Sequence, residues 1–228
     1  MEKVLLIWDI DGTLINSKGC GRRAMDKAFL KLYNIKDGFS RVNMAGRLDW
    51  QIVRDALEIN NIKEDDIFSF LDNYGESLKE ELIKNPLCEI LPGINEILVE
   101  TWEDQNIYHA LGTGNCEIGA RLKLSHLGLD RYFEVGGFGD EDLERWELID
   151  KVIKKASEYY NTNFKKENIY VIGDTPLDIE CGKKLGVKSV AVATGAYKYE
   201  ELQKHLPDFI FRNFADFHDF ISIIKDIK

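Results

Sequence analysis

The sequence predicts an α/β protein with a doubly wound, Rossmann-like parallel sheet and an inserted α-helical cap domain. Residues 3–8 form a short apolar run rich in β-branched and aromatic residues, which is typical of a strand buried on both faces. From residue 107 onward, short apolar runs alternate with helical segments, a pattern that favours parallel strands covered by helices. The stretch between these parts has helical periodicity and no convincing strand.

The elements of the α/β core follow the first strand in a regular order. We predict strands at residues 107–111, 133–135, 169–172, 189–192 and 208–211. We predict helices at residues 116–127, 146–160 and 177–185, with a closing helix after the last strand. Gly128 and Gly186 are expected to end the first and the third of these helices.

Residues 17–89 are predicted to form the inserted cap domain. Three helical patterns mark this stretch, carried by Ala24, Ala28 and Leu32, by Ile52, Val53, Ala56 and Leu57, and by Phe68, Leu71, Leu78 and Leu82. A parallel crossover needs only about a dozen residues, and long structureless loops are uncommon inside domains. We therefore predict a catalytic core of residues 1–16 and 90–228, with linkers at 16–21 and 85–93. One mixed domain without a separate cap is the alternative.

Composition limits the class of protein and its partners. With 228 residues, 44% hydrophobic and 31% charged, the chain fits a soluble globular protein. It has no apolar run of about 20 residues and no signal-peptide pattern, so we expect a cytoplasmic location and no membrane partner. A net charge of −10 disfavours a nucleic-acid partner. Most of the four scattered cysteines are expected in the core, and both a monomer and a homodimer remain open.

Two carboxylates follow the first predicted strand. Asp9 and Asp11 would point to the same side of an extended backbone, and Gly12 would permit a close turn that leaves its N–H accessible to a phosphate. Carboxylates facing one space repel each other unless a cation such as Mg²⁺ or a shared proton offsets their charge. Asp-Gly between apolar residues is also a strong hairpin signal, so two strands joined by a type I′ turn are the alternative.

Two further motifs each lie between a later strand and the helix that begins after it. Thr113 supplies a hydroxyl, and Gly114 with the next helix start supplies N–H groups that suit an anion. Asp174 and Asp178 lie one helical turn apart, a spacing that lets two carboxylates serve one hard cation. Ordinary helix caps would explain each of these two motifs when it is taken alone.

The three motifs converge in the predicted sheet. Asp9, Thr113 and Asp174 all fall at the carboxyl ends of parallel strands, where open α/β sheets bind their ligands. Acidic groups from two strands and phosphate donors from a third predict a site for Mg²⁺ and a phosphate. A hairpin at Asp11 would not explain this agreement.

In its motifs and its helical insertion, the chain resembles the haloacid dehalogenase-like hydrolases, and among them phosphatases related to phosphoglycolate phosphatase. The resemblance implies that Asp9 is the nucleophile that accepts the phosphoryl group. It implies that Asp11 is the general acid for the leaving oxygen and then the base for water. Thr113 and the Gly114 N–H would hold the phosphate.

The same resemblance implies a Mg²⁺ site. Its ligands would be the Asp9 carboxylate, the Asp11 backbone carbonyl and Asp174, with Asp178 in support. A carboxylate is already ionised at pH 7, but an anionic phosphate repels it, and the metal removes that obstacle.

The family usually places a lysine before the helix that precedes the third motif, and this sequence has Arg145 there instead. A guanidinium could pair with both a phosphate oxygen and Asp9, although its geometry differs from that of an ammonium. Lys151 is the competing candidate, but it lies inside the predicted helix and is expected on the surface.

Residues 22–54 hold five arginines in an otherwise acidic chain. Arg47 lies in a predicted turn before a helix, and the resemblance suggests that it meets a carboxylate or a second phosphate of the substrate. Ordinary ion pairs on solvated helix faces are the alternative for each of these arginines.

We therefore predict a Mg²⁺-dependent phosphatase that acts on a small phosphorylated metabolite through an aspartyl phosphate. A dehalogenase is disfavoured because Asp11 supplies an acid that carbon–halogen displacement does not need. The alternatives are a phosphomutase, a phosphonate hydrolase, a receiver-type signalling module and a non-catalytic phosphate-binding domain. The phosphonate hydrolase would need an imine-forming lysine in the cap, for which the candidates are Lys18, Lys27 and Lys31.

Overall fold

The computed structural model describes residues 2–63, 67–84 and 87–225. Its strands are β1 (Val4–Trp8), β2 (Ile15–Asn16), β3 (Glu89–Ile90), β4 (Ile107–Gly112), β5 (Val135–Gly137), β6 (Ile169–Gly173), β7 (Lys188–Val192) and β8 (Phe209–Phe211). Its α-helices are α1 (Cys20–Tyr33), α2 (Asp49–Ile59), α3 (Ile67–Lys84), α4 (Ile94–Trp102), α5 (Glu117–His126), α6 (Arg145–Tyr159), α7 (Pro176–Leu185), α8 (Tyr199–Gln203) and α9 (Phe217–Lys225).

Within the described residues, six parallel strands form the main sheet in the order β5-β4-β1-β6-β7-β8. Side chains alternate along β1, so that Leu6 and Trp8 join one hydrophobic cluster and Leu5 and Ile7 join another. Helices α4, α5 and α9 cover the first face, and α6 and α7 cover the second. The predicted doubly wound α/β fold is confirmed.

The register aligns the carboxyl ends of the three central strands. Trp8 of β1 is paired with Leu111 of β4 on one side and with Ile172 of β6 on the other. The residues that follow these strands therefore emerge at the same edge of the sheet. The hairpin alternative is wrong, because β1 has parallel neighbours on both sides and Gly12 donates its N–H to Ile15 in a local turn.

Three elements of the core differ from the prediction, and one of them is the short helix α8, which was not predicted. The third core strand begins at Val135 instead of residue 133, because Phe133 packs its ring into the core while Val135, Gly136 and Gly137 make the backbone pairs with β4. Helix α4 was not predicted. It begins after Gly93, whose φ of 82° is readily adopted only by glycine.

Helices α1, α2 and α3, which lie between β2 and β3 in the sequence, share a hydrophobic cluster. This cluster also includes Cys116, just before α5. Leu32 is 38% exposed, contrary to the predicted pattern, because residues spaced by four drift about 40° per step around a helix of 3.6 residues per turn. Strand β2 ends at Asn16, the first residue of the first predicted linker, and β3 lies within the second linker. The two strands pair antiparallel through Ile15 and Ile90. Residues 85 and 86 of the second linker lie outside the described residues. The division into core and cap stays a prediction.

A buried polar network ties β1 to β4 and α4. The indole N–H of Trp8 donates to His109 Nδ1 at 3.1 Å, and His109 Nε2 lies 3.0 Å from the Thr101 hydroxyl. That hydroxyl donates to the Ile97 carbonyl, which assigns the proton of the neutral imidazole to Nε2. Burial lowers the pKa of His109 to about 4.

No helix in the described ranges is both long enough and apolar enough to cross a membrane.

We expect His109 to make stability fall in mild acid. An unfolded histidine titrates near pH 6.5, whereas folded His109 stays neutral down to about pH 4. The unfolded state therefore binds the extra proton in this window, and the free energy of unfolding drops by about 3 kcal/mol across it. Urea unfolding of wild type and H109Q between pH 4 and pH 8 measures this contribution, since the difference removes the other titrating groups. Parallel curves for the two proteins would contradict it.

Candidate active site

A buried guanidinium joins two carboxylates at the end of β1. Asp9 directly follows β1, and its N–H donates to the Ile172 carbonyl of β6 at 2.9 Å. Arg145 is the first residue of α6, and its Nη2 lies 3.0 Å from Asp9 Oδ1 and 2.7 Å from Asp178 Oδ1. All three of these charged side chains are less than a tenth exposed. In this low-dielectric setting, the charges are stable only because they are paired.

Asp178 is held by the start of α7 as well. Thr175 is the N-cap of this helix, and its N–H and hydroxyl both donate to Asp178 Oδ2, at 3.1 Å and 2.7 Å. This is a capping box with Pro176 in the first turn. Because Arg145 occupies Oδ1 and Thr175 occupies Oδ2, Asp178 is suited to support the site.

Asp9, Asp174 and Asp178 form a cluster whose ligand atoms lie within 4.8 Å of one another. Burial, partly offset by Arg145, raises the pKa of Asp9 to about 6, and burial next to Asp9 raises the pKa of Asp174 well above its usual range. Such crowded carboxylates favour a bound cation, and buried oxygen donors suit a hard divalent ion such as Mg²⁺. The donor set therefore fits the metal that the sequence predicts.

The absence of a side chain at two glycines gives the Asp174 carboxylate its space. Gly12 has a φ of 83°, and a Cβ on it would lie 2.6 Å from Asp174 Oδ2. A Cβ on Gly195 would lie 1.6 Å from the same oxygen. Larger residues at either position would displace the carboxylate.

Asp11 faces a different set of partners. Its Oδ2 accepts from Lys123 Nζ at 2.6 Å and from Asn115 Nδ2 at 2.9 Å. Burial would raise the pKa of Asp11, but the Lys123 ammonium, with hydrogen bonds from Ser17 and Asn115, lowers it below its usual value.

Sequence reasoning missed Lys123, which comes from α5 and is 3% exposed. The available signal was its position on the buried face of this helix, next to Gly119, Ala120 and Leu124. Its proximity to Asp11 raises the pKa of Lys123 despite burial, so the amine stays protonated and is a poor imine former.

The second motif lies beside this network. Thr113 is fully buried, and its hydroxyl accepts from the N–H and the side-chain amide of Asn115, at 3.3 Å and 2.9 Å. Gly114 and Asn115 line a cavity that also borders Asp9, Asp11 and Asp174. The structure therefore brings the three predicted motifs together at one edge of the sheet.

The cavity has a volume of about 550 Å³ and lies between the sheet edge and helices α1 to α3. Arg145, Lys123, Arg47 and Gly12 line it, as do the less polar side chains of Met25, Met44, Ile52 and Tyr74. This volume exceeds what a phosphate group needs and leaves room for the rest of a small molecule.

Asp49 anchors the start of α2 to the sheet edge, a contact that the sequence did not predict. Its N–H donates to the Gly114 carbonyl at 2.7 Å, and its carboxylate accepts from the Cys116 N–H at 2.8 Å. Burial, partly offset by the Cys116 N–H, raises the pKa of Asp49 to about 6. These contacts place the neighbouring Arg47 at the cavity wall.

The five arginines of residues 22–54 all have partners. Arg22 donates to the carbonyls of Phe39 and Val42, Arg41 to that of Ile59, while Arg23 pairs with Glu81, Arg47 with Asp55 and Arg54 with Asp142. Among these, Arg22 and Arg47 also line the cavity.

Lys151 and the three lysines considered as imine formers do not line the cavity. Lys151 is about half exposed and pairs with Glu141 on the surface of α6. Lys18 and Lys27 pair with Glu89 and Glu80, and Lys31 is exposed. The structure therefore places Arg145, and not Lys151, against Asp9.

Comparisons with known proteins agree with this arrangement. Residues 6–192 match the family model for haloacid dehalogenase-like hydrolases. The chain is 26% identical to pyrophosphatase PpaX of Halalkalibacterium halodurans, over 98% of this chain and 99% of the relative. It is 27% identical to phosphoglycolate phosphatase of Aquifex aeolicus, over 90% of each chain. The crystal structure of CbbY from Rhodobacter sphaeroides in complex with phosphate covers 95% of this chain and 96% of its own, with a TM-score of 0.71 and 17% identity, and shows the same fold.

The resemblance inferred from the motifs is confirmed by the match over residues 6–192, and with it the prediction of a hydrolytic enzyme. The chain belongs to the haloacid dehalogenase-like hydrolase family.

Proposed function

We propose that the protein is a Mg²⁺-dependent phosphatase that hydrolyses a small phosphate monoester through a phosphoryl group carried by Asp9. The observation that carries this proposal is the position of Asp9 at the carboxyl end of β1. Asp9 is paired there with Arg145, and its carboxylate lies within 4.8 Å of the Asp174 carboxylate. The names of the relatives, a pyrophosphatase and a phosphoglycolate phosphatase, support phosphoryl transfer as the chemistry.

The first half of the reaction transfers the phosphoryl group to Asp9. With a pKa of about 6, Asp9 is mostly ionised at pH 7, so its oxygen can attack phosphorus without a separate base. A bond forms between this oxygen and phosphorus while the bond to the leaving oxygen breaks, and Asp11 in its protonated form gives the leaving oxygen its proton. Lys123 favours the ionised form of Asp11 in the substrate-free protein, whereas the negative charge of a bound phosphate would raise the pKa of Asp11 and favour the protonated form. Arg145 keeps the Asp9 carboxylate in position and offsets charge on the transferred group.

The second half releases phosphate. Asp11 takes a proton from water, whose oxygen attacks phosphorus and frees the Asp9 carboxylate. The Gly114 N–H, together with Thr113, would hold the phosphate oxygens throughout. The Gly12 N–H, which the sequence predicted to be accessible to a phosphate, donates instead to the Ile15 carbonyl at 2.8 Å. Asp9 and Asp174, with the Asp11 carbonyl and Asp178 in support, would hold Mg²⁺, which supplies charge stabilisation for the phosphoryl oxygens when bound.

Hydrolysis of an aryl phosphate tests the nucleophile. We expect D9N to lower kcat by at least about 10³-fold, because an amide cannot accept the phosphoryl group. Removal of Mg²⁺ with EDTA should abolish turnover in wild type, and added Mg²⁺ should restore it. D150N, which changes an exposed aspartate paired with Lys154, is the matched control and should keep wild-type activity. Equal activity in D9N and wild type would contradict the proposal.

Substitution of Arg145 should affect both rate and stability. In R145M, two buried carboxylates lose their cation, so we expect the free energy of unfolding to fall by about 3 to 5 kcal/mol and turnover to be lost. R145K should be intermediate, because an ammonium keeps the charge but cannot span Asp9 and Asp178 with a fork of donors. R212M, which breaks an exposed pair with Glu200, should change stability by less than about 1 kcal/mol. Urea unfolding and kcat of the three variants test this prediction. Equal unfolding free energies and equal kcat for R145M and wild type would contradict it.

Arg47 is proposed to meet the leaving part of the substrate. For the preferred substrate from a screen of sugar phosphates, phosphoglycolate, nucleotides and pyrophosphate, R47A should lower kcat/KM by about 10- to 100-fold, the usual effect of losing one charged hydrogen bond. R41A is the control, since Arg41 is exposed and donates to the Ile59 carbonyl. An unchanged kcat/KM in R47A would remove Arg47 from the substrate site.

A further inference from the structure

Tyr74 brings a phenol ring from α3 to the wall of the cavity. The residue is 1% exposed and belongs to the hydrophobic cluster of helices α1 to α3. Its ring lies against two glycines. A Cβ on Gly119 of α5 would lie 3.1 Å from the Tyr74 hydroxyl oxygen, and a Cβ on Gly21 of α1 would lie 3.5 Å from it. The missing side chains at these two positions therefore give the ring its place between α1 and α5.

The Tyr74 hydroxyl makes no hydrogen bond to any other described residue, yet it is not sealed inside the protein. In the described ranges, Asp11 Oδ1 is the one fully buried side-chain atom that lacks a hydrogen-bond partner. The Tyr74 hydroxyl therefore keeps access to the cavity, which Tyr74 and Gly21 both line. A polar group in so buried a residue is unfavourable without a partner, and this partner must come from the contents of the cavity.

The chemistry of this hydroxyl limits which group it suits. A tyrosine hydroxyl can donate one hydrogen bond and accept another. Burial raises the pKa of Tyr74 well above its usual value, so the donor proton is kept at any pH near neutrality. An alcohol hydroxyl matches both capacities of the phenol, whereas a carboxylate or a phosphate can use only its donor. The unpaired group of Tyr74 therefore favours an uncharged hydroxyl.

The surrounding wall suits the carbon-bearing part of such a molecule. Met25 of α1, Met44 and Ile52 of α2 line the same cavity from the insertion. Pockets of this kind bind through apolar contacts, while a few polar groups at fixed positions decide which molecule fits. Tyr74 is such a polar group, because its hydroxyl is neutral and has no partner within the protein.

We propose that Tyr74 is a specificity-determining residue whose hydroxyl pairs with an alcohol hydroxyl on the leaving part of the substrate, which makes the substrate a sugar or polyol phosphate. The inference rests on the proposed function, which places the transferred phosphate at Asp9 and the leaving part in the cavity. Tyr74 takes no part in the bond-breaking steps. Because the contact is the same in the bound substrate and in the transition state, its loss raises KM more than it lowers kcat.

The variant Y74F tests this role, because it removes one oxygen and keeps the ring. We take the best substrate among glycerol 3-phosphate, ribose 5-phosphate and glucose 6-phosphate. For this ester we expect Y74F to lower kcat/KM by about 10-fold, mainly through KM, as the loss of one neutral hydrogen bond does. Phenyl phosphate and butyl phosphate, whose leaving parts lack a further hydroxyl, should change by less than about threefold. Y159F, which changes an exposed tyrosine of α6, should match wild type for all of these esters.

Deoxy analogues of the best ester identify the hydroxyl that Tyr74 recognises. In wild type, removal of one particular hydroxyl should lower kcat/KM by the same factor as Y74F does. The same removal should have no further effect in Y74F, because the two changes delete one interaction. If no single deoxygenation lowers kcat/KM in wild type, the inference fails, and this outcome does not depend on how well the variant folds.

Three other results would overturn the role of Tyr74. One is a loss in Y74F that is equal for all of the esters, since a residue that only packs the cavity wall does not distinguish between substrates. Another is an unchanged kcat/KM of Y74F for the best hydroxylated ester. The third is a wild type that turns over phenyl and butyl phosphate but none of the three hydroxylated esters.

The proposed function fails by a different result. Wild type that turns over none of these esters with Mg²⁺, or D9N that remains active, would reject the phosphatase. An active wild type with an inactive D9N and a uniform loss in Y74F would reject only the role of Tyr74.

Discussion

The buried pairing of Arg145 with Asp9 and Asp178 is the interaction on which the site depends. One guanidinium reaches a carboxylate after β1 and another in the first turn of α7, so three separate elements meet through a single side chain. Asp178 also completes the capping box of α7, so that one carboxylate pairs with Arg145 through Oδ1 and accepts from the helix start through Oδ2. Helix start and charge pairing are therefore one constraint, and neither could change without the other.

Much of this arrangement could be predicted from the sequence, because it follows from local patterns. An apolar run that ends at Trp8 defines a buried strand, and Asp9 must then emerge at its carboxyl end. Thr175 and Pro176 mark a helix start, which places Asp174 at the matching end of β6. The parallel register brings these ends together without any long-range information beyond the strand order.

The parts that could not be predicted depend on contacts between distant residues. Lys123 lies on a helix face whose burial is readable, but its partner Asp11 is 112 residues away, and no local pattern links them. Asp49 joins the insertion to the start of α5 through a backbone N–H, which carries no sequence signal at all. The late start of β5 has a different cause. Val135, Gly136 and Gly137 pair with β4 through their backbones, whereas Phe133 precedes the strand and packs its apolar ring into the core.

The short ladder between β2 and β3 has a consequence for how the chain could have been assembled. Ile15 and Ile90 are direct neighbours, so the two points where the chain leaves and rejoins the sheet lie side by side. A segment whose ends meet in this way can be lengthened, shortened or exchanged without changing the strand order of its host. The fold thus allows the inserted segment, which forms part of the cavity wall, to vary while the strand order of the main sheet is kept.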